Sequence, residues 1–254
     1  MSLKTLDNSL ELLKYFTREK PSWGVRELAK EMGISHSIVY RTLASFEKYG
    51  FLKQDPVSKK YELGFRFLEY GQMVKEKMRL SEIVYPIMKR LAKKAEESVF
   101  LTWLDKFDGV TVEIAESDHP IKYDVSLGTR TPLYVGASCK VIMAYLPKEK
   151  QQDIITQGLK AFTRKTILDE DTLLQDLAEI KNKGWCYSAG EFSEGVFGLG
   201  VPLFNTENEV IASLTICGPE YRVEEMNMEE ALIQLKKEAS EIQGYLNHFS
   251  GNYK

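Results

Sequence analysis

Val25-Arg26-Glu27-Leu28-Ala29-Lys30-Glu31-Met32-Gly33-Ile34-Ser35-His36-Ser37-Ile38-Val39-Tyr40-Arg41-Thr42-Leu43 is the stretch on which the reading of this chain turns. Val25, Leu28, Ala29 and Met32 fall on one helical face and predict a short amphipathic helix. Gly33 ends it, because glycine takes the left-handed conformation of a helix stop cheaply. Ile34 plugs the corner, and Ser35 or Ser37 is placed to cap the next helix by accepting an orphan amide hydrogen. Val39, Leu43 and Phe46 are the apolar stripe of that helix, which closes at Tyr49-Gly50. Two short helices joined through Met32-Gly33-Ile34-Ser35, with small Ala29 where they cross, make a helix-turn-helix.

The flanks fit that reading. Upstream, Leu6, Leu10, Leu13 and Phe16 mark one face of a first helix, and Pro21-Ser22-Trp23-Gly24 breaks it. Downstream, Phe51-Leu52-Lys53 and Lys60-Tyr61-Glu62-Leu63 are short strands around the turn Asp55-Pro56-Val57-Ser58-Lys59. A hairpin in that place is a wing, and its Lys53, Lys59 and Lys60 are available to phosphates. Ser35, His36, Ser37, Tyr40, Arg41 and Ser45 lie off the apolar stripe of the third helix. Residues near the start of such a helix meet base edges in the major groove. Arg41 suits a bidentate pair with guanine, whereas Ser37 and Tyr40 suit phosphates. The competing reading is an ordinary solvated helix face, with His36 an exposed cap-region residue.

At 254 residues, 43% of them hydrophobic and 28% charged, the chain has room for two globular domains. Residues 1–75 carry 13 basic and 9 acidic side chains, and the remainder carries 21 and 28. A basic head on an acidic body fits contact with nucleic acid at one end. No apolar run approaches the ~20 residues needed to span a bilayer, so no membrane partner is expected. Met1 to Asp7 lacks the layout of a secretory signal, and Cys139, Cys186 and Cys217 are an odd, widely spaced set. Free thiols in a reducing cytoplasm are therefore expected.

Phe65, Phe67, Leu68, Met73 and Val74 predict a linker helix over 65–79, whose aromatic face needs a partner, either its own domains or a second subunit. Leu80, Ile83, Val84, Ile87, Met88 and Leu91 predict a further helix over about 81–97, kinked at Pro86. From Ser98 the pattern turns to strands. Residues 99–104 and 110–115 flank Asp108-Gly109, taken as the turn, and residues 198–204 and 209–217 form a second hairpin. Helices are expected at about 137–146, 148–157 and 169–183, and a long one from Glu224 to Phe249 presents Leu232, Leu235, Ile242 and Leu246. These elements describe an α+β domain whose antiparallel sheet has helices on one face, leaving room for a ligand pocket.

Taken in order, Gly33 to Leu43, Thr131-Pro132-Leu133-Tyr134-Val135-Gly136-Ala137-Ser138-Cys139-Lys140, Ser188-Ala189-Gly190-Glu191 with Gly195, and Leu214-Thr215-Ile216-Cys217-Gly218-Pro219 resemble the IclR family of bacterial transcriptional regulators along the whole chain. The resemblance implies a winged helix-turn-helix DNA-binding domain at 1–64, the linker at 65–79 and a GAF-like effector-binding domain at 80–254. It also implies dimers that often pair into tetramers, and no cofactor. Its pocket carries over to Gly136 and Ala137, to Ser188 and Glu191, to Gly198, and to Thr215 and Cys217 on one face of a strand. Independently of the resemblance, amides opening a helix at Gly136-Ala137 favour an anion, such as the carboxylate of a small organic acid. Trp103, Tyr123, Val125, Leu127 and Met143 are expected apolar walls. Cys139 stands where the family more often has glycine, Cys217 where serine is frequent, and Ser188 near an acidic ligand contact of some members. The cysteine at 217 points to an effector less polar than a two-carbon acid.

The expected function is a sequence-specific repressor on a palindromic double-stranded operator, released or tightened by the effector through a shift between two subunit arrangements. Catalysis by Cys139 as a nucleophile is the rival, but His36, His119 and His248 are not placed as bases. No Cys/His spacing suits a metal. A winged helix used for protein contact is the third reading.

Overall fold

The computed structural model describes residues 3–78 and 80–249. Residues 1 and 2, residue 79 at the end of the expected linker, and residues 250–254 at the end of the expected effector domain lie outside them. The chain forms two compact units, Met1–Lys77 and Met78–Lys254, so the connecting helix goes with the first.

The first unit contains α1 (Lys4–Leu13), β1 (Ser22–Trp23), α2 (Val25–Met32), α3 (His36–Lys48), β2 (Leu52–Gln54), β3 (Tyr61–Leu63) and α4 (Phe65–Met78). Its core is Leu12, Trp23, Leu28, Ala29, Val39, Leu43, Leu52 and Tyr61, so the stripes read for α2 and α3 are the buried ones. The face read for α1 is only partly so. Leu13 and Phe16 pack on this core, while Leu6 and Leu10 are 53% and 52% exposed and Leu12 is buried instead. Pro21 to Gly24 is more than a break, because Ser22 and Trp23 pair with Glu62 and Tyr61 to make the wing a three-stranded sheet, β1-β3-β2. The Trp23 indole donates to the Tyr15 carbonyl at 2.7 Å, which anchors the short strand. Ser35 stands at the N-cap of α3 without a side-chain cap hydrogen bond, and only its carbonyl serves the helix, accepting from Ile38 and Val39.

The second unit opens with a π-helical turn, Leu80–Val84, followed by α5 (Tyr85–Ala95). Pro86 therefore begins a helix and does not kink one, since proline in a first turn removes an amide that has no partner there anyway. The rest is β4 (Ser98–Asp105), β5 (Asp108–Ala115), β6 (Arg130–Pro132), α6 (Ala137–Met143), α7 (Lys148–Thr156), α8 (Glu170–Lys183), β7 (Cys186–Ala189), β8 (Val196–Phe204), β9 (Val210–Pro219), a 3-10 turn (Glu220–Glu224) and α9 (Met228–Phe249). Six antiparallel strands run in the order β6-β5-β4-β9-β8-β7, and the two outermost are short.

Asp105 pairs with Asp108, so the β4–β5 turn is Lys106-Phe107, with Lys106 at φ 59°, and Asp108-Gly109 lies inside β5. Gly109 serves close packing: a Cβ there would meet Thr102 Cγ2 at 2.6 Å and Cys139 Sγ at 2.7 Å. Helices cover both faces of the sheet, not one. Leu91 of α5 and Leu235 and Ile242 of α9 pack with Leu101, Leu199 and Leu214 on one side. On the other, α6 lies against β8 and β9 and is backed by Leu173 and Leu177 of α8. The α5–α9 layer is tied by Arg90 and Lys94 to the fully buried Glu238.

Candidate functional site

In the first unit Ser35, His36, Ser37, Tyr40, Arg41 and Ser45 are all exposed, opposite the buried stripe of α3. Arg41 and Ser45 lie toward α1, lining a groove with Thr5, Leu6 and Ser9. The Ser45 hydroxyl donates back to the Arg41 carbonyl at 2.8 Å, as serine does within helices. In the wing, Asp55 accepts from the Val57 and Ser58 amides at 3.1 and 2.6 Å, which fixes the turn and leaves Lys59 in the left-handed region. Lys53, Lys59 and Lys60 are exposed, and Lys60 approaches Glu27 at 3.9 Å. Cations on the wing and donors on α3 thus occur in one unit, the requirement for contact with phosphates and base edges.

In the second unit a cleft of about 600 Å³, part of it open to solvent, lies between the sheet and the start of α6. Gly136, Ala137, Ser188, Glu191, Gly198 and Cys217 line it, together with Tyr123 and Val125. Sequence reasoning missed Thr102, Thr111, Thr129, Thr131, Phe192 and Ser193. Strand alternation could have found Thr102 and Thr111, once the β4–β5 register was known.

Four expected lining residues are elsewhere. Trp103 neighbours Thr102 and so faces the α5–α9 side, and Met143 is fully buried in the core behind α6. Leu127 is 46% exposed on the β5–β6 connection. Thr215 is fully buried beneath the wall, and its Oγ1 has no hydrogen-bond partner. Gly198 and Gly200 let α6 come this close, since a Cβ at 198 would reach Ala137 Cβ at 3.0 Å and one at 200 would reach the Ala137 carbonyl oxygen at 3.2 Å.

The anchor of the cleft is electrostatic. Lys140, 1% exposed, places Nζ 2.6 Å from Glu191 Oε1 and 2.8 Å from Asp176 Oδ2. Burial opposes its charge, but Cys186, Glu191 and Asp176 outweigh that and raise its pKa. The other Glu191 oxygen accepts from the Gly136 amide at 3.2 Å. One of the amides read as an anion site is therefore held by the chain's own carboxylate. At the far end, Arg222 meets the buried Glu97 at 2.7 Å and donates to the Ile121 carbonyl at 2.8 Å, two residues before Tyr123 of the cleft. Burial pushes the Glu97 carboxyl up to about 7, against the opposing pull of Arg222. Burial also pushes Cys139, Cys186 and Cys217 up to about 12, which removes the thiolate a nucleophile needs.

A winged helix-turn-helix in one unit and a partly open cleft in the other are the two parts of a ligand-responsive transcription factor. Residues 5–56 match the IclR helix-turn-helix domain, and residues 72–244 match the bacterial transcriptional regulator IclR C-terminal domain. The chain belongs to the IclR family of transcriptional regulators and is a regulator, not an enzyme. It is 33% identical over 240 residues to the HTH-type transcriptional regulator KipR of Bacillus subtilis, covering 94% of this chain and 95% of that one. It is 24% identical over 243 residues to the transcriptional repressor IclR of Escherichia coli, covering 94% and 89%. Its fold matches an IclR homologue from Microbacterium hydrocarbonoxydans complexed with 4-hydroxybenzoate, with a TM-score of 0.82, 20% identity, and 96% and 99% of the two chains covered. No helix among the described residues is long and apolar enough to cross a membrane.

Proposed function

We propose that this regulator represses from a palindromic operator in the cytoplasm, and that a small organic acid bound in the cleft beside α6 changes its grip on DNA. The observation that carries this reading is the pairing, in one chain, of the exposed polar face of α3 beside a lysine-bearing wing with a partly open cleft that sets polar groups among apolar ones. Residues 1–64 act as the DNA-binding domain, 65–79 as the linker and 80–254 as the effector domain. Arg41 reads a guanine. Ser35, His36, Ser37, Tyr40 and Ser45 contact neighbouring bases or phosphates, and Lys53, Lys59 and Lys60 hold the backbone. Gly136, Ala137, Ser188, Glu191, Gly198 and Cys217 surround the effector.

Phe65, Leu68, Met73 and Val74 of α4 are 58–77% exposed, and so much apolar surface on one helix supports burial against a second copy, as a dimer or a pair of dimers. Effector binding then acts only through unequal affinity for two arrangements of the copies.

Fluorescence anisotropy of the full chain on DNA from its own upstream intergenic region, across a salt series and a panel of organic acids, tests this reading. Tight, salt-sensitive binding that one acid shifts is expected. Failure to bind any DNA at any salt overturns it. Arg41→Ala is expected to cost about 1–3 kcal/mol on the operator and little on unrelated DNA. Equal loss on both would reassign Arg41 to phosphate.

A further inference from the structure

The connection between β5 and β6, residues 116–129, runs along the cleft, and its Tyr123, Val125 and Thr129 are lining residues. Both of its ends are stitched down. The Ser117 hydroxyl donates to the Glu96 carbonyl at 2.7 Å, the Ser117 amide to the Ser98 hydroxyl at 3.0 Å, and Lys89 to the Glu116 carbonyl at 3.2 Å. At the other end, Gly128 donates to the Thr111 carbonyl at 2.8 Å and Thr129 accepts from the Thr111 amide at 2.9 Å. Residues 120–125 between them belong to no helix or strand, and Ile121 is 62% exposed. Among the described residues, one hydrogen bond reaches the backbone of that span, from Arg222 to the Ile121 carbonyl at 2.8 Å. A segment with so few bonds opens locally at little cost.

Tyr123 makes this segment a cover. Its ring packs on Phe100 of β4 with centroids 6.2 Å apart. Its hydroxyl lies near enough to Ser193, before β8, and to Cys217 of β9 for both to act on its ionisation. One side chain thus spans the cleft. Arg222, which fixes the backbone two residues before it, is itself seated on the buried Glu97. Gly218 leaves the room that this carboxylate fills, and the neighbouring Ser98 pairs with Cys217 across β4 and β9. The guanidinium therefore has one side on the sheet and the other on the cover. Arg222 and Glu97 also border a second cavity of about 790 Å³, part of it open to solvent, where Glu225 and Glu230 offer a displaced guanidinium other carboxylates.

We propose that residues 118–126 are a lid on the cleft and that Arg222, seated on Glu97, is the positioning residue that latches it through the Ile121 carbonyl. Entry and exit of an effector through this opening is a consequence that rests on the cleft being the effector site; the lid itself does not.

Cys217 is the reporter, because it is half-buried in the cleft wall while Cys139 and Cys186 are 0% and 1% exposed in the core. The full chain is alkylated with iodoacetamide at one pH across low urea concentrations, and each cysteine is followed by peptide mass spectrometry. In the wild type, Cys217 should react at a rate that low urea leaves unchanged, since a lid exposes little surface. Cys139 and Cys186 should react only with the steep urea dependence of unfolding. Arg222→Gln should raise the urea-independent rate of Cys217 about tenfold or more, the loss of a hydrogen bond from a charged group. Arg222→Lys keeps a cation for Glu97 but has one nitrogen in place of a fork. It should restore stability relative to Arg222→Gln and still leave Cys217 fast, which a purely structural arginine would not do. A wild-type Cys217 that reacts only with the urea dependence of the other two would overturn the lid. An unchanged urea-independent rate in both variants, or failure of both to fold, would overturn the latch.

Discussion

Lys140→Met is expected to remove about 3–5 kcal/mol from the stability of the effector unit, the usual loss when one partner of a buried ion pair is deleted. Lys140 is held from two sides, by Glu191 and by Asp176, and only 1% of its side chain reaches solvent. Deleting the ammonium leaves the Glu191 carboxylate, 11% exposed, with the Gly136 amide in place of a cation. Lys140→Met combined with Glu191→Gln should recover part of the loss, since the uncompensated charge is then gone. Urea denaturation followed by tryptophan fluorescence measures both. A loss under about 1 kcal/mol for the single variant, or no recovery in the double, would show that the pair does not hold the unit together. Because the Lys140 pKa is raised, its contribution is full below the ordinary lysine range and fades only as the solution becomes strongly alkaline.

Arg222→Gln should cost a similar amount near neutrality, with the opposite relation to acid. It strands Glu97, whose side chain is 3% exposed, without its one close cation in this pair. Glu97 already has its pKa raised to about 7 by burial. For an acid raised in this way, the unfolded chain gives up its proton first. The contribution of Glu97 is therefore most favourable below about pH 4.5 and is lost as pH climbs to about 7. Removing the arginine takes away the pull that lowers this value, so Glu97 in the variant stays protonated to higher pH. The deficit of Arg222→Gln should shrink between about pH 8 and about pH 5.5, and Glu97→Gln in the same background should abolish that recovery. An equal deficit at both pH values would mean that the variant fails for packing reasons alone.

The legible parts of the molecule were those governed by local pattern. The α2–α3 turn rests on Gly33 and Ile34, and the stripe Val39, Leu43 and Phe46 is periodic enough to place α3 and the wing after it. The last hairpin and α9 are equally plain, with Leu235, Ile242 and Leu246 buried at helical spacing. Partnerships across distance were not legible. The two-residue strand Ser22–Trp23 exists because Glu62 and Tyr61 lie beside it, nearly forty residues on. Gly109 looked like a turn because glycine at a turn and glycine under a helix are the same letter, and only the nearby Cys139 distinguishes them.

The cleft shows the same limit. Gly136, Ala137, Ser188, Glu191 and Cys217 could be named because each lies in a stretch with a family pattern, and Gly198 because it matches a further lining position of the family. Trp103 reads as an apolar wall by residue type, but the pleat of β4 sends Thr102 to the cleft and Trp103 away. Lys140 and Asp176 were beyond reach, because their meeting depends on how α6 and α8 stack.

The six-stranded sheet ends in its two briefest strands, Arg130–Pro132 on one border and Cys186–Ala189 on the other. Exposed rows of backbone donors and acceptors are templates for adding another chain, and short borders, especially one with a proline, deny that template. Growth into fibrils by strand addition is thus blocked at both margins of the domain. A substitution or insertion that lengthened either border would supply the template for strand addition that these short strands withhold, without touching the DNA head or the cleft.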